Sequence, residues 1–218
     1  MTFIFKNRQD AGIQLSQKLV SYKNSQVIVL ALPRGGVVVG YEIAKMLRVS
    51  IYPIIVRKIG MPSNPEFAIG GVGEDGTVYL DENTINTYGV AKNQIEKIIQ
   101  KERTEIQRRV WLYRKNTPLP PLRDKTVLLI DDGSATGISM RTALEVVINQ
   151  KPEGVICVSP VCSSDSIRLL KPLAKEIICL LTLYDLRSIS SYYFDFSQTT
   201  DEEVVSLLHK KTLSVPTR

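Results

Sequence analysis

Short apolar runs rich in β-branched residues alternate along the chain with segments whose apolar residues recur every three or four positions. The first pattern is typical of buried strands, and the second is typical of amphipathic helices. Strands are predicted at residues 27–32, 51–56, 127–130, 155–159 and 176–181, and helices at residues 37–47, 91–114, 137–149 and 164–174. This alternation predicts an α/β fold with an open, mostly parallel, doubly wound sheet.

Residues 57–76 interrupt the alternation. Their sequence, RKIGMPSNPEFAIGGVGEDG, is rich in Gly and Pro, so we expect a long irregular excursion instead of a core element. At the N-terminus, Asp10 is expected to cap a helix. Near the C-terminus, the sequence SYYFDFSQTTDEEVVSLL holds an aromatic cluster and then a capping box, in which Thr200 is the cap and Glu203 reaches back.

The length of the chain suits one domain with a buried core, since 44% of its 218 residues are hydrophobic. A single domain is predicted over residues 1–218, with its core at about 25–185 and a C-terminal segment at 186–218. No apolar run approaches the roughly 18 to 20 residues that span a bilayer. We therefore expect a cytoplasmic protein with no membrane partner.

Histidine and cysteine are scarce, which excludes several classes of enzyme. His209 is the one histidine in the sequence, so zinc-histidine sites and serine-histidine catalysis have almost no residues to use. Three cysteines, Cys157, Cys162 and Cys179, lack the C-x-x-C spacing of a zinc or redox site. Buried, reduced thiols are the expected state.

The net charge of +6 is concentrated in residues 97–125, which contain nine basic and three acidic residues. A long basic amphipathic helix is predicted over much of this segment, at residues 91–115. Four interpretations of the segment stay open, namely a solvated helix face, the rim of an anionic-ligand site, a subunit contact and a nucleic-acid contact.

The run VLLIDDGSATGISMRTAL stops being apolar at two adjacent acids. Ligands of an open parallel sheet bind beyond the carboxyl ends of its strands, so Asp131 and Asp132 should face a crevice. Gly133 and Gly137 permit backbone turns that aim N–H groups at an anion. A ribose 5-phosphate fits both features, because its hydroxyls can donate to carboxylates. The alternative is that Asp132 or Ser134 only caps the next helix. The sequence lacks the motif of a Walker-type ATPase, which excludes that kind of phosphate site.

The stretch VLLIDDGSATGIS resembles the phosphoribosyl pyrophosphate (PRPP) motif of type I phosphoribosyltransferases. LPRGGVVVG, at residues 32–40, resembles their pyrophosphate loop, and VRKIGMP, at 56–62, resembles the start of the mobile catalytic loop of adenine phosphoribosyltransferases. The combination of ALPRGG, VRKIG, PEFAIG and DDGSATG is similar to stand-alone predicted phosphoribosyltransferases of undefined acceptor. The likeness covers nearly the whole chain and implies a mobile loop at 57–76 and a variable hood at 186–218.

The resemblance implies a magnesium-dependent transfer of the 5-phosphoribosyl group from PRPP to a nucleobase-like acceptor, with release of pyrophosphate. Asp131 and Asp132 would bind the ribose and, indirectly through the substrate, Mg2+. Arg34 and Lys58 would be catalytic. Pyrophosphate would be held by Arg34, Gly35, Gly36, Arg57 and Lys58, and the 5-phosphate by Gly133, Ser134, Ala135, Thr136, Gly137, Ile138 and Ser139.

The proton donor and the acceptor site are less defined. Members specific for 6-oxopurines have an acid at the third position after the acidic pair, where this chain has Ala135. Glu66 is our candidate for a catalytic acid, and Glu74 is the second choice. Aromatic residues of the hood are candidates for stacking on the acceptor, although such clusters also serve packing; they are Tyr192, Tyr193, Phe194 and Phe196.

One different function stays open at this point. A non-catalytic regulator could bind PRPP or a nucleotide and contact nucleic acid through residues 97–125, because some relatives are sensors. Arg34, Arg57 and Lys58 favour the enzyme, since a sensor has no leaving group to stabilise. The expected partners are therefore PRPP and the acceptor, without nucleic acid. A homodimer is compatible with the resemblance, because dimers are common in that family.

Overall fold

The computed structural model describes residues 4–23 and 25–210. Five strands form the central sheet, namely β1 (Val27–Ala31), β2 (Ile51–Pro53), β6 (Thr126–Ile130), β7 (Gly154–Ser163) and β8 (Glu176–Leu183). They pair in parallel in the order β2-β1-β6-β7-β8. The predicted open parallel sheet is confirmed.

Helices cover both faces of this sheet, because its strands are apolar on both sides. Leu128 and Ile130 of β6 join one hydrophobic core with helices α1 (Arg8–Lys18) and α2 (Gly35–Leu47). Val127 and Leu129 point the other way and join a second core with α5 (Ile138–Ile148) and α6 (Ser164–Leu170). Each fully buried side chain of this kind contributes about 1.5 to 3 kcal/mol. The doubly wound arrangement is thus confirmed.

Residues 57–76 are not irregular, so that prediction is wrong. They lie mostly in a second, antiparallel sheet made of β3 (Val56–Met61), β4 (Asn64–Gly73) and β5 (Val78–Leu80). The predicted strand at 51–56 accordingly divides into β2 and the start of β3. Gly71 and Gly73 have a packing role, since a Cβ on Gly71 would lie 2.2 Å from Thr142 Oγ1 and a Cβ on Gly73 would lie 2.3 Å from Val146 Cγ2, both of α5. Close packing on α5, which no local pattern reveals, makes this segment a regular hairpin.

The remaining helices are α3 (Glu82–Tyr88), α4 (Lys92–Arg114) and α7 (Asp201–His209). The predicted long helix and the Thr200–Glu203 capping box are both confirmed. Asp10 is not a cap. Instead, Asn7 Oδ1 accepts a hydrogen bond from the Asp10 N–H at 2.9 Å, because α1 begins one turn earlier than expected. Within the two described ranges, no helix is long and apolar enough to cross a membrane. Residues 211–218 of the predicted C-terminal segment lie outside the described residues.

Candidate active site

The carboxyl ends of β1 and β6 lie side by side, because the two strands pair in parallel with Ala31 opposite Ile130. The loop after β1 therefore touches the acids after β6. A Cβ on Gly36 would lie 3.0 Å from Asp131 Cα, and a Cβ on Gly35 would lie 1.9 Å from Asp132 Oδ2. Only glycine fits such an approach. The structure thus brings the predicted pyrophosphate loop against the predicted ribose-binding acids.

The two acids have different surroundings. Asp131 Oδ1 accepts a hydrogen bond from the Asp132 N–H at 2.9 Å. Burial and the charge of Asp132 raise the pKa of Asp131. Asp132 forms an ion pair with Arg8, whose Nε lies 2.5 Å from Asp132 Oδ2. Arg8 neutralises the negative charge of Asp132 directly, whereas Asp131 has no ion-pair partner in the part of the chain that the structure describes.

A small pocket lies between β6 and α5, and Ala135, Thr136 and Gly137 are among the residues that line it. Within residues 4–23 and 25–210, the N–H groups of Ala135, Thr136 and Gly137 donate no hydrogen bond to the protein. The φ angle of Gly137 is 79°, a value that favours glycine, and it directs the chain into α5. The pocket beside this turn has a volume of about 160 Å³ and is lined by the loop and Ile189. Free donors at a helix start are well suited to a phosphate.

Ser134 lines this pocket, but its polar groups are engaged within the fold, so its contact with a phosphate stays a prediction. Its N–H donates to the carbonyl of Val161 at 2.8 Å, and its Oγ lies 2.5 Å from Ser166 Oγ in the interior. Ser163 supports the same loop, because its Oγ donates to the carbonyl of Ala135 at 2.5 Å. No sequence pattern indicates these contacts, since Ser163 ends strand β7 and Ser166 lies in α6, both distant in sequence from the loop.

Arg34 lies close to helix α7 through an ion pair with Asp201, a residue that no sequence pattern singled out as functional. The Pro33–Arg34 peptide bond is cis, and Arg34 precedes the first turn of α2. Arg34 Nη1 lies 3.6 Å from Asp201 Oδ1 at the start of α7. Asp201 also accepts hydrogen bonds from the Tyr113 hydroxyl at 2.5 Å and from Arg108 at 3.1 Å, both in α4. Asp201 therefore connects the pyrophosphate loop to two helices.

Arg57 and Lys58 are consecutive in β3, so their side chains point to opposite faces. Arg57 Nε pairs with Glu102 of α4 at 2.7 Å, and Lys58 Nζ pairs with Glu66 at 2.7 Å. In this arrangement Arg57 and Lys58 pair with different acids, and their joint binding of pyrophosphate stays a prediction. The Glu66 side chain is 88% exposed, and its hydrogen bond with Lys58 lowers its pKa.

Glu74, the second choice for a catalytic acid, lies away from the loop. It forms a buried ion pair with Arg114 at 2.6 Å, and each side chain is only 8% exposed. The next residue, Asp75, contacts Asn149 at the far end of α5. At about 1.5 Å per helical residue, this end is roughly 18 Å from Gly137. Burial raises the pKa of Glu74, and the charge of Arg114 opposes that shift.

Tyr193 is a core residue, so its predicted role in stacking on an acceptor is wrong. It is 2% exposed, and its hydroxyl donates to the carbonyl of Asp132 at 2.7 Å. Phe196 packs against it with ring centroids 4.8 Å apart. Burial raises the pKa of Tyr193. Tyr192 is half-buried and Phe194 is 76% exposed, so these two remain candidates.

Several cations of the basic segment are engaged within the fold. Arg108 Nε and Arg109 Nε lie 2.8 and 2.7 Å from Glu105. Arg114 is buried against Glu74. The two arginines lower the pKa of Glu105 to about 2, chiefly through hydrogen bonds from Arg108. These three arginines stabilise α4 and its neighbours, which leaves fewer charges for a nucleic-acid contact.

Comparisons with known proteins give a consistent result. A family profile described as a phosphoribosyl transferase domain matches residues 4–182. A Mycobacterium tuberculosis protein provisionally named phosphoribosyl transferase Rv0571c is 34% identical over 207 residues, which cover 95% of this chain and 47% of that protein. This chain thus spans about half the length of the curated relatives it matches.

Two solved structures have similar folds. TT1426 from Thermus thermophilus is 37% identical and has a TM-score of 0.77, with 94% of this chain and 97% of that chain covered. The AQ2163 protein from Aquifex aeolicus is 12% identical and has a TM-score of 0.50, with 80% of this chain and 74% of that chain covered. At that identity the second likeness concerns the fold alone.

Proposed function

Because this chain belongs to the phosphoribosyl transferase family, we propose that it transfers the 5-phosphoribosyl group from PRPP to a nucleobase-like acceptor and releases pyrophosphate. One observation carries the proposal. Gly35 and Gly36 lie so close to Asp132 and Asp131 that a side chain on either glycine would collide with the acids or their backbone. A ribose held by the acids would therefore have its C1 substituent beside the pyrophosphate loop.

In this proposal each part of PRPP has its own group of residues. The 5-phosphate accepts hydrogen bonds from the free N–H groups of residues 135–137. The ribose hydroxyls donate to Asp131 and Asp132. Pyrophosphate lies at Arg34 and the N–H groups of Gly35 and Gly36. These residues lie in two loops, one after β1 and one after β6, which meet at one edge of the sheet.

The residues also suit the charge changes of the reaction. As pyrophosphate leaves, negative charge grows on the leaving group while positive charge develops on the ribose. Arg34 and Lys58 would stabilise the negative charge on pyrophosphate, and Asp131 and Asp132 would stabilise the positive charge on the ribose. Loss of one such preorganised contact typically costs on the order of 100-fold in rate. Movement of the β3–β4 hairpin would bring Lys58 and Glu66 toward the substrate and exclude water. Lys58 lowers the pKa of Glu66, so the Glu66 carboxylate would accept the proton that the acceptor nitrogen loses as its bond to C1 forms.

Magnesium fits this site as a companion of the substrate. The described residues contain no group of three or more His, Cys, Asp or Glu side chains that could hold a metal ion. Two adjacent carboxylates and a phosphorylated sugar match the usual Mg2+ site, in which substrate oxygens and waters supply most ligands. Asp131 and Asp132 would hold the ion indirectly. The ion would supply neutralising charge to the phosphates.

An acceptor screen tests the proposal. Purified protein is incubated with PRPP, Mg2+ and a panel of nucleobases and related heterocycles, and pyrophosphate release is measured. We expect release with at least one acceptor and none with the Asp131→Asn/Asp132→Asn variant. Such a result would place the protein in nucleotide metabolism. PRPP binding without release across the panel would favour the non-catalytic regulator, and absence of PRPP binding would contradict both.

A further inference from the structure

Arg8 lies beside the proposed ribose site and was not singled out by any sequence motif. We propose that Arg8 is a positioning residue, which holds the Asp132 carboxylate in the orientation that receives the ribose. The inference rests on the proposed function. It adds the N-terminal helix α1 to the parts of the fold that determine how PRPP binds.

The guanidinium of Arg8 is fixed on several sides. Its Nε donates to Asp132 Oδ2 at 2.5 Å, and its Nη1 donates to the carbonyl of Ser197 at 2.7 Å. Its central carbon lies 3.7 Å from the ring centroid of Phe196, which is a cation–π contact. The Arg8 and Asp132 side chains are only 12% and 16% exposed. Because these contacts hold the Arg8 guanidinium in place, the guanidinium in turn restricts the movement of the Asp132 carboxylate.

Asp132 needs such a partner because a second acid adjoins it. The negative charges of Asp131 and Asp132 repel each other, which favours rotation of Asp132 toward solvent. The pair with Arg8 uses one oxygen, Oδ2, and opposes that rotation. A Cβ on Gly35 would lie 2.5 Å from Arg8 Nε, so the absence of this atom makes room for the ion pair beside the pyrophosphate loop.

The backbone of Asp132 is held as well. The Tyr193 hydroxyl donates to the Asp132 carbonyl at 2.7 Å, and the Tyr193 ring packs against Phe196. The C-terminal segment thus supports Asp132 directly through Tyr193 and indirectly through Arg8. With its carbonyl and Oδ2 both engaged, Asp132 can present Oδ1 to a ribose hydroxyl without first being ordered. Preorganisation of this kind increases affinity, because less conformational freedom is lost on binding.

A double-mutant cycle tests this role. PRPP is titrated to millimolar concentration, with Mg2+, into the intact chain and into the Arg8→Gln, Asp132→Asn and combined variants. We expect Arg8→Gln to weaken binding by about tenfold or more, and to have little further effect when Asp132 is already Asn. Arg8→Lys keeps the charge and should recover part of the loss. Arg187→Gln, which removes an exposed arginine paired with Asp185 at 3.0 Å, is the control and should bind like the wild type.

Thermal unfolding of each variant separates this role from a structural one. If Arg8 only stabilises the fold, the effects of Arg8→Gln and Asp132→Asn on affinity should add. Additive effects, or wild-type affinity in folded Arg8→Gln, would overturn the inference. If Arg8→Gln does not fold, the Arg8→Lys cycle with Asp132→Asn gives the same comparison. Absence of PRPP binding by the wild type would instead contradict the proposed function.

Discussion

Replacement of Gly35 by alanine adds one methyl group where the pyrophosphate loop meets the acid pair. The new Cβ would lie 1.9 Å from Asp132 Oδ2 and 2.5 Å from Arg8 Nε. Real Cβ atoms essentially never come within 3.0 Å of a heavy atom outside their own and adjacent residues, so the carboxylate must move by at least about 1.1 Å. The ion pair with Arg8 must move with it.

A displacement of about 1 Å in a substrate-positioning group can cost on the order of 100-fold in rate, and we expect a loss of the same order in affinity because Asp132 is proposed to hold the ribose on binding. We therefore expect Gly35→Ala to weaken PRPP binding by about 100-fold, or roughly 3 kcal/mol. The free energy of unfolding should change less. Overpacking costs about 1 to 3 kcal/mol, and alanine regains up to about 1 kcal/mol over glycine in a helix. The expected signature is a large loss of affinity with a small loss of stability.

Calorimetric titration with PRPP and Mg2+, together with thermal unfolding, measures both quantities. Gly40→Ala is the matched control, because it lies in the same helix and its Cβ would meet the side chains of Ala31 and Ile51 at 3.0 Å, away from the acids. This control should alter stability but not affinity. Wild-type affinity in Gly35→Ala would refute the claim that the position of Asp132 governs binding. An equal loss in Gly40→Ala would assign the effect to overpacking of α2.

Three further predictions concern charged groups. Glu74→Gln leaves Arg114 buried without its charged partner, so denaturant unfolding should show a free energy of unfolding lower by about 3 to 5 kcal/mol, with kcat unchanged. A loss of activity in folded protein would instead indicate that Glu74 acts in catalysis. Asp201→Asn removes the charge that holds Arg34 in place, so it should lower the free energy of unfolding by about 1 kcal/mol and raise the KM for PRPP several-fold. An unchanged KM would contradict the claim that Asp201 positions Arg34. Because the pKa of Asp131 is raised above 3.8, stability should fall as pH rises through the raised value. Asp131→Asn should therefore melt at a higher temperature than the wild type near pH 8 and lose that advantage below about pH 4, and the reverse order would contradict burial as the cause.

The central sheet and the acid loop could be predicted because local patterns determine them. The strand before Asp131 is apolar at every position after Thr126, as a strand covered on both faces requires. The acids and the glycine at residue 137 are close in sequence, so their grouping is visible without knowledge of the fold. The hairpin at residues 57–76 could not be predicted, because Gly71 and Gly73 reflect packing on α5 instead of turns.

Contacts between distant parts of the chain were also hidden. Arg8 and Asp132 are 124 residues apart, and no periodicity or motif connects them. Asp201 directly follows Thr200, whose capping pattern predicts the start of α7. That pattern gives no indication that Arg34 lies beside Asp201. Tyr193 is similarly ambiguous, since an aromatic residue in sequence can either stack on a ligand or fill a core. Each of these roles depends on which surfaces meet after folding.

The most direct measurement is calorimetric titration of PRPP, with Mg2+ present, into the wild type and the Asp131→Asn/Asp132→Asn variant. We expect saturable one-to-one binding by the wild type and no detectable binding by the variant, whose thermal unfolding should still be cooperative. Equal binding by the two proteins, or no binding by the wild type, would contradict the claim that the acid pair holds the ribose of PRPP.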